Sequence, residues 1–562
     1  MLVPHPSKNT SVSLSALSGE GVSLTPKSVQ FTLIGEEETP SISIRCVCIC
    51  IRLSFNSLYL VKYNAKRVLC QGGAFTAGSG KQFSLDIFSA KCYSYIKITP
   101  SPFIKGKRVE NMSTKGKRDF RPMLHFTPES GWINDPNGLV YENGNYHLFA
   151  QYFHEPHWGP MHWCHAVSRD LIHWEHLPIA LAPDSLGMIF SGSAVYDTEN
   201  SSGLGEGRAP IVAMYTSHGD TEQQSIAFST DLIHFTPYDG NPVIENKTLP
   251  DFRDPKLFRH PLGGWGVVMA AGDRVVFYRS ENLKEWEKTG EFGPGGNLSK
   301  GVWECPDLFP LTLDGKEYWI LLVSMGANEE NRGSRTQYFI GAFNGKTFTC
   351  AQPFDHTEFI DQSFDHYAGV TFDHTPGGEK LMVAWCANWV YANSLPTGDF
   401  CGQMTFARRF SLVQTPKGVR LGGSPVTDGI FEKEAASGKE GTLPGEVFRL
   451  TVRGNGTGKA VLFNDAGEEF VFGVNQAGEM FIDRRRAGAR DFDEHFSSDR
   501  YGIISATRFF DGGWEMDLYF DHSVTEIYAD QGTRTFTQLV YPNAPYTCFR
   551  LEGGAETAVL RV

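Results

Sequence analysis

Three carboxylate segments stand out from an aromatic, weakly charged background. They are Trp132-Ile133-Asn134-Asp135-Pro136-Asn137-Gly138, Arg253-Asp254-Pro255 just after Asp251, and Trp303-Glu304-Cys305-Pro306-Asp307 after Gly301. Each sets an acid beside a Pro or a Cys-Pro, as a strand end does when it aims a carboxylate into a pocket. Taken singly, each has a structural reading. Asn-Asp-Pro-Asn-Gly is turn chemistry, Asp254 could simply pair with Arg253, and Glu304 could be a solvated edge charge. Together they meet the needs of a retaining glycosidase, which requires an ionised carboxylate as nucleophile and a second carboxyl, about 5–5.5 Å away, protonated at rest. Arg253 is expected to keep Asp254 charged, because a neighbouring guanidinium lowers a carboxyl pKa. Glu304, between Trp303 and Cys305 with no adjacent base, is expected to be raised by desolvation and by the other acids.

Other chemistries fit less well. His154/His157, His162/His165 and His173/His176 are His-x-x-His pairs, but on a strand positions i and i+3 face opposite sides, and neither a helical His-Glu-x-x-His frame nor a Cys-x-x-Cys partner accompanies them. Cys46, Cys48 and Cys50 alternate along one expected strand face and read as small core residues. No Gly-x-Ser-x-Gly elbow supports a Ser/His/Asp hydrolase. Neither a metal nor a cofactor is expected.

The elements that must position the acids are short strands. A pattern of apolar strand, polar turn and aromatic recurs in His165–Trp174, Ile226–Phe235 and Val276–Trp286, and more loosely in Ile340–Phe348. Units of roughly 50 to 60 residues that each end in the same hairpin are the signature of propeller blades. Four or five such units fit in 119–415. Residues 425–562 alternate as half-buried strands, exemplified by Trp514–Phe520 and Val524–Tyr528, and predict a β-sandwich. Residues 1–103 carry short alternating segments split by Gly-rich turns and predict a small β region. The basic, aperiodic stretch 104–118 reads as a linker. The fold class expected is therefore all-β.

With 562 residues, several domains and a sizeable core are expected. Aromatics at 13% suit stacking on sugars or bases, and the net charge of −13 decides between them, since a phosphate backbone calls for a basic surface. Nucleic acid is disfavoured and a neutral carbohydrate is not. Met1–Leu24 lacks the apolar run of a secretory signal. The most apolar stretch, Ile42–Val61, carries Arg45 and Arg52 and is too interrupted to span a membrane. With 11 Cys and no compact framework of spacings, reduced thiols and a cytoplasmic location are expected.

In chain order the three acidic segments, with Phe190-Ser191-Gly192-Ser193, closely resemble the hallmark motifs of glycoside hydrolase family 32, the β-fructosidases that include invertase, inulinase and levanase. Gln151, Trp158–Trp163, Asn388-Trp389-Val390-Tyr391-Ala392 and the C-terminal Ile482-Asp483-Arg484 extend the resemblance across about 120 to 562. It implies a five-bladed β-propeller followed by a β-sandwich, with Asp135 as nucleophile, Glu304 as acid/base and Asp254 as transition-state stabiliser through fructose hydroxyls. Trp132, Trp158, Phe190 and Trp389 would then wall the pocket, Asn134, Gln151, Ser191 and Arg253 would bind hydroxyls, and Asp365 would bind sugar. Two departures occur: His366 stands where the family more often has Phe, and Ser363 where Gly is usual. The resemblance implies a β-fructofuranosidase acting on sucrose or fructo-oligosaccharides, with inulin and levan as further candidates. A fructosyltransferase, a sucrose-6-phosphate hydrolase and a non-catalytic fructan-binding protein stay open as alternatives, as does oligomeric state.

Overall fold

The computed structural model describes residues 118–293, 301–351 and 357–562 throughout, and within 31–100 the backbone of strands alone. Two compact units emerge, Met1–Lys115 and Gly116–Val562. In the first, Phe31–Ile34, Ser41–Cys46 and Ile49–Ser54 form an antiparallel sheet, and Val61–Tyr63, Tyr93–Pro100, Lys81–Ala90 and Gly73–Ala77 form another in that order. Cys46 ends one strand and Cys50 lies on the next, so no single strand carries the Cys46/Cys48/Cys50 alternation; Cys48 lies outside the described residues. So do residues 104–117 of the basic stretch.

The second unit begins with five blades of antiparallel strands. Their inner strands are Gly131–Glu142, Met188–Tyr196, Phe252–Arg259, Trp303–Leu313 and Tyr367–Thr371. Each packs on the next and the fifth returns to the first, closing a ring. Phe400–Cys401 seals the closure by pairing in parallel with Gly131 and Trp132.

The repeat seen in the sequence is the turn between the third and fourth strands of blades one to four. Asp170 Oδ1 accepts the Ile172 and His173 amides, and Asp231 and Asn282 cap the same turn in blades two and three. In blade four, Asn344 Oδ1 accepts the amides of Lys346 and Thr347. The residue after the cap is left-handed each time: Leu171 at φ 66°, Leu232 at 69°, Leu283 at 61° and Gly345 at 92°. A leucine in this region is strained, and the side-chain cap on the two following amides holds it there. The fifth blade turns instead through Thr415–Gly418, and its outer strand Gly418–Pro425 runs past the expected boundary at 415.

Beyond it lies a ten-stranded sheet folded into a sandwich. Its longest strand, Val447–Phe463, breaks register at Gly454–Gly458, pairing before the break with Trp514–Asp521 and after it with Glu469–Val474. Such a glycine corner lets one strand serve both layers. Val524–Ala529, expected half-buried, is buried along its whole length. Its outer face meets the propeller: Glu526 accepts the Phe406 amide and the His125 ring, while Asp521 accepts the amides of Met123, Leu124 and His125 together with His125 Nδ1.

Burial alone would push the His125 ring down, but the hydrogen bonds and charges of Asp521 and Glu526 outweigh it and lift the pKa to about 9. A raised histidine contributes stability that is complete below the unfolded value, about 6.5, and fades as pH rises through about 9. The expected result is that His125→Gln lowers the melting temperature by several degrees at pH 6 and by progressively less toward pH 9.5. Thermal unfolding followed across that range checks it; a gap independent of pH would leave the contact without a charge.

Candidate active site

All five inner strands carry the same defect near one end of the propeller axis. Register slips between Ile133 and Pro136, Ile189 and Gly192, Arg253 and Lys256, Glu304 and Asp307, and Tyr367 and Val370. Each is a bulge that sets two residues against one and re-aims the side chains beside it. Asp254, Cys305 and Ala368, the first bulged residues of blades three to five, have positive φ of 62°, 43° and 55°. Strain of this kind, repeated at one level of a ring, marks a place where side-chain direction outweighs backbone comfort.

What the bulges aim is a connected group with a member from every blade. Asp135 Oδ2 accepts Ser191 Oγ at 2.7 Å and Cys305 Sγ at 3.4 Å, while Oδ1 is buried with no partner. Asp254 Oδ2 accepts the Cys305 amide at 2.9 Å, and the Asp254 amide donates to Thr216 Oγ1 at 3.0 Å. Glu304 Oε1 accepts Arg253 Nη2 at 3.1 Å, and Oε2 accepts the Tyr367 hydroxyl. Arg253 Nη1 also serves Glu222 and Asp251.

The electrostatics differ from the sequence expectation. Burial pushes the Asp254 carboxyl up to about 7, with Arg253 opposing and Glu304 and Asp135 adding to the rise. Arg253 does not hold it ionised, because its hydrogen bonds go to Glu304, Glu222 and Asp251. Glu304 is raised as expected, chiefly by burial, yet two donors oppose the rise: the Arg253 guanidinium and the Tyr367 hydroxyl both favour its ionised form. Burial and the three acids keep the Cys305 thiol protonated, so it acts as a donor between Asp135 and Asp254.

The remaining candidates divide. Trp158, 41% exposed, meets Phe190 edge-on at 6.4 Å, and Phe190 precedes Ser191 on the bulge, so these two form one open wall. Gln151 stands opposite the Asn134–Asp135 bulge, buried, with an unpartnered Nε2. Trp132 is fully buried; it donates to Asn134 Oδ1 at 2.7 Å and stacks behind Trp389 at 5.8 Å, backing the wall rather than facing into the site. Asp365 is not brought to the site. Its carboxylate is taken by Arg484, the Tyr391 hydroxyl and the Leu539 amide, an ion pair joining propeller to sandwich. The neighbouring His366 is buried with neither ring nitrogen bonded, and burial holds it down at about 4, so a neutral imidazole fills a slot suited to an apolar ring.

Sequence reasoning missed Tyr367, Thr216 and Glu222. Tyr367 lies two positions beyond Asp365, and its place at the start of an inner strand, as Arg253 and Glu304 are placed, is the signal that could have found it. The His-x-x-His pairs scatter: His165 meets His147 at 3.0 Å, His173 Nδ1 lies 2.7 Å from Asp170 Oδ2, and His154 and His157 approach Glu155. A separate cleft of about 760 Å³, between the outer strands of blade five and the sandwich, is lined by Arg409, Phe431, Arg449, Trp514 and Tyr519 and contains none of the candidate acids.

With this geometry in place, comparison with known proteins is specific. The model of the glycosyl hydrolases family 32 N-terminal domain matches residues 125–423, and that of the family 32 C terminal matches 434–560. The levanase of Bacillus subtilis is 38% identical over 455 residues, covering 76% of this chain and 67% of that protein. The crystal structure of exo-inulinase from Aspergillus awamori superposes with a TM-score of 0.71 at 30% identity, covering 79% of this chain and 98% of that one. A fructofuranosidase from Schwanniomyces occidentalis, solved with fructose, also gives 0.71, at 27% identity over 79% of this chain and 99% of its own.

Proposed function

This chain belongs to the glycosyl hydrolases of family 32 and is a β-fructofuranosidase, and from that premise we propose that it releases terminal β-fructose by two displacements at Asp135. The observation that carries the proposal is the buried, unpartnered carboxylate oxygen Asp135 Oδ1 in the ring of bulges, beside a carboxyl whose pKa is raised, Glu304. Protonated Glu304 donates to the departing alkoxide as Asp135 attacks the anomeric carbon. The resulting Glu304 carboxylate, steadied by Arg253 and Tyr367, then takes a proton from the water that hydrolyses the ester. Asp254, its carboxyl lifted by burial to about 7, binds ring hydroxyls and carries negative charge toward the oxocarbenium-like transition state. A fructofuranoside suits this group, because its tertiary anomeric carbon makes that cation accessible and leaves the enzyme chiefly to position and protonate.

Sucrose and fructo-oligosaccharides are the proposed substrates. Inulin and levan are added because the relatives are named exo-inulinase and levanase. Product analysis with sucrose, kestose, inulin and levan tests this: free fructose from all four is expected, and growth of longer oligosaccharides without fructose release would contradict it.

Tyr367→Phe is expected to move the alkaline limb of kcat/KM to higher pH. The Tyr367 hydroxyl favours ionised Glu304, so its loss lets the acid keep its proton longer. The rate of ester hydrolysis, which needs the carboxylate as base, should fall by about ten-fold, a charged hydrogen bond being worth roughly 1.5–3 kcal/mol. A pH-rate profile checks it, and a downward shift would reverse the sign assigned to Tyr367.

A further inference from the structure

One side chain at the mouth is fixed on two sides and open on the third. In blade two, Ile211–His218 and Glu222–Ser229 form a hairpin in which His218 pairs with Glu222 at the tip, and across the other edge His218 pairs with Met188 of the inner strand. The His218 ring lies flat on Phe190, centroids 4.0 Å apart and planes 9° from parallel. Its Nδ1 is 3.2 Å from Glu222 Oε1. Both Glu222 oxygens in turn take Arg253 Nη1 at 3.2 Å, and Arg253 passes its other nitrogen to Glu304. Trp158, Phe190, His218, Glu222, Arg253 and Glu304 therefore form one continuous arc around the rim.

The tautomer follows from the partner. Burial raises the Glu222 carboxyl, but His218 and Arg253 outweigh it and hold it below its ordinary value, so Glu222 is an acceptor. The hydrogen must then sit on Nδ1. The other ring nitrogen, Nε2, is left without a protein partner on a side chain 35% exposed. At one end of this arc Arg253 donates to Glu304, the proposed acid, and at the other Ser191, next to Phe190, donates to Asp135 Oδ2. His218 stands between these two ends, on the wall that Trp158 and Phe190 open to solvent.

We propose that His218 is a substrate-positioning residue for the leaving unit, hydrogen-bonding through Nε2 to a hydroxyl of the sugar next to the fructose being released. That unit is glucose in sucrose and fructose in a fructan. The proposal rests on the reading of the pocket given above, which a turnover-competent Asp135→Asn would remove independently of any result at His218.

His218→Phe keeps the flat contact with Phe190 and deletes both nitrogens; His218→Gln restores a hydrogen-bonding group on a side chain of similar reach. His218→Phe is expected to raise KM for sucrose and kestose about ten-fold, the worth of about one hydrogen bond. The inhibition constant of free fructose, which occupies only the fructosyl side, should change by less than about two-fold, and His218→Gln should recover most of the lost KM. The proposal is overturned if KM and the fructose constant rise together, which would mean that the ring merely props the wall. It is equally overturned if neither moves, or if the alkaline limb of kcat shifts while KM does not, which would place His218 behind Glu304 through Arg253.

Discussion

Asp135→Asn is expected to fold with a wild-type melting temperature and to lose fructose release by on the order of 10³-fold or more. The amide is nearly isosteric, and both neighbours of Oδ2 are hydroxyl or thiol groups. Ser191 Oγ can turn from donor to acceptor, so neither is stranded. What the amide cannot do is form the fructosyl ester or offset the positive charge that develops on the ring. Initial rates on sucrose together with a thermal melt measure both halves. More than a few per cent of activity in a well-folded variant would mean that another group attacks.

The second large effect separates Glu304 from Asp254. Glu304→Gln removes the proton donor, so sucrose, whose leaving alkoxide is a poor one, should lose about 10²–10⁴-fold in rate. A p-nitrophenyl fructoside needs little protonation and should be partly spared in its first step, and azide should rescue the second, where the base is missing. Asp254→Asn should depress both substrates alike, because its work is on the ring hydroxyls, and azide should not help. The quantity compared is the ratio of the two substrates within each variant, which tolerates a moderate loss of stability. Equal leaving-group dependence in both variants, or rescue of Asp254→Asn by azide, would exchange or remove the two roles.

The parts of this architecture visible in the sequence are those set by local chemistry. The propeller repeat is legible because an Asp or Asn cap with Leu or Gly after it is needed to turn each blade outward, at Asp170, Asp231, Asn282 and Asn344. Blade five escapes the pattern because Thr415–Gly418 turns by other means, and the expected boundary fell short for that reason. The bulges are not legible at all, since an extra residue shows only against its paired strand. Their consequence is plain at Arg253 and Asp254. Adjacency suggests an ion pair, but successive residues on a strand point to opposite faces, and the bulge turns Asp254 toward Cys305 while Arg253 reaches Glu304 across the rim. Asp365 fails for a related reason: its partner Arg484 lies in the sandwich, 119 positions away, and only the docking of the two layers brings them together. Tyr367, two residues on, is the side chain of that segment that reaches the acids.

The most direct test is to catch the intermediate. Glu304→Gln, turning over p-nitrophenyl β-fructofuranoside without azide, should accumulate the ester because its hydrolysis lacks a base. Acid quenching, proteolysis and peptide mass mapping should then find one fructosyl unit on the peptide containing Asp135, absent when Asp135→Asn is added. A label on the peptide containing Asp254, or no label together with inverted product, would contradict the account.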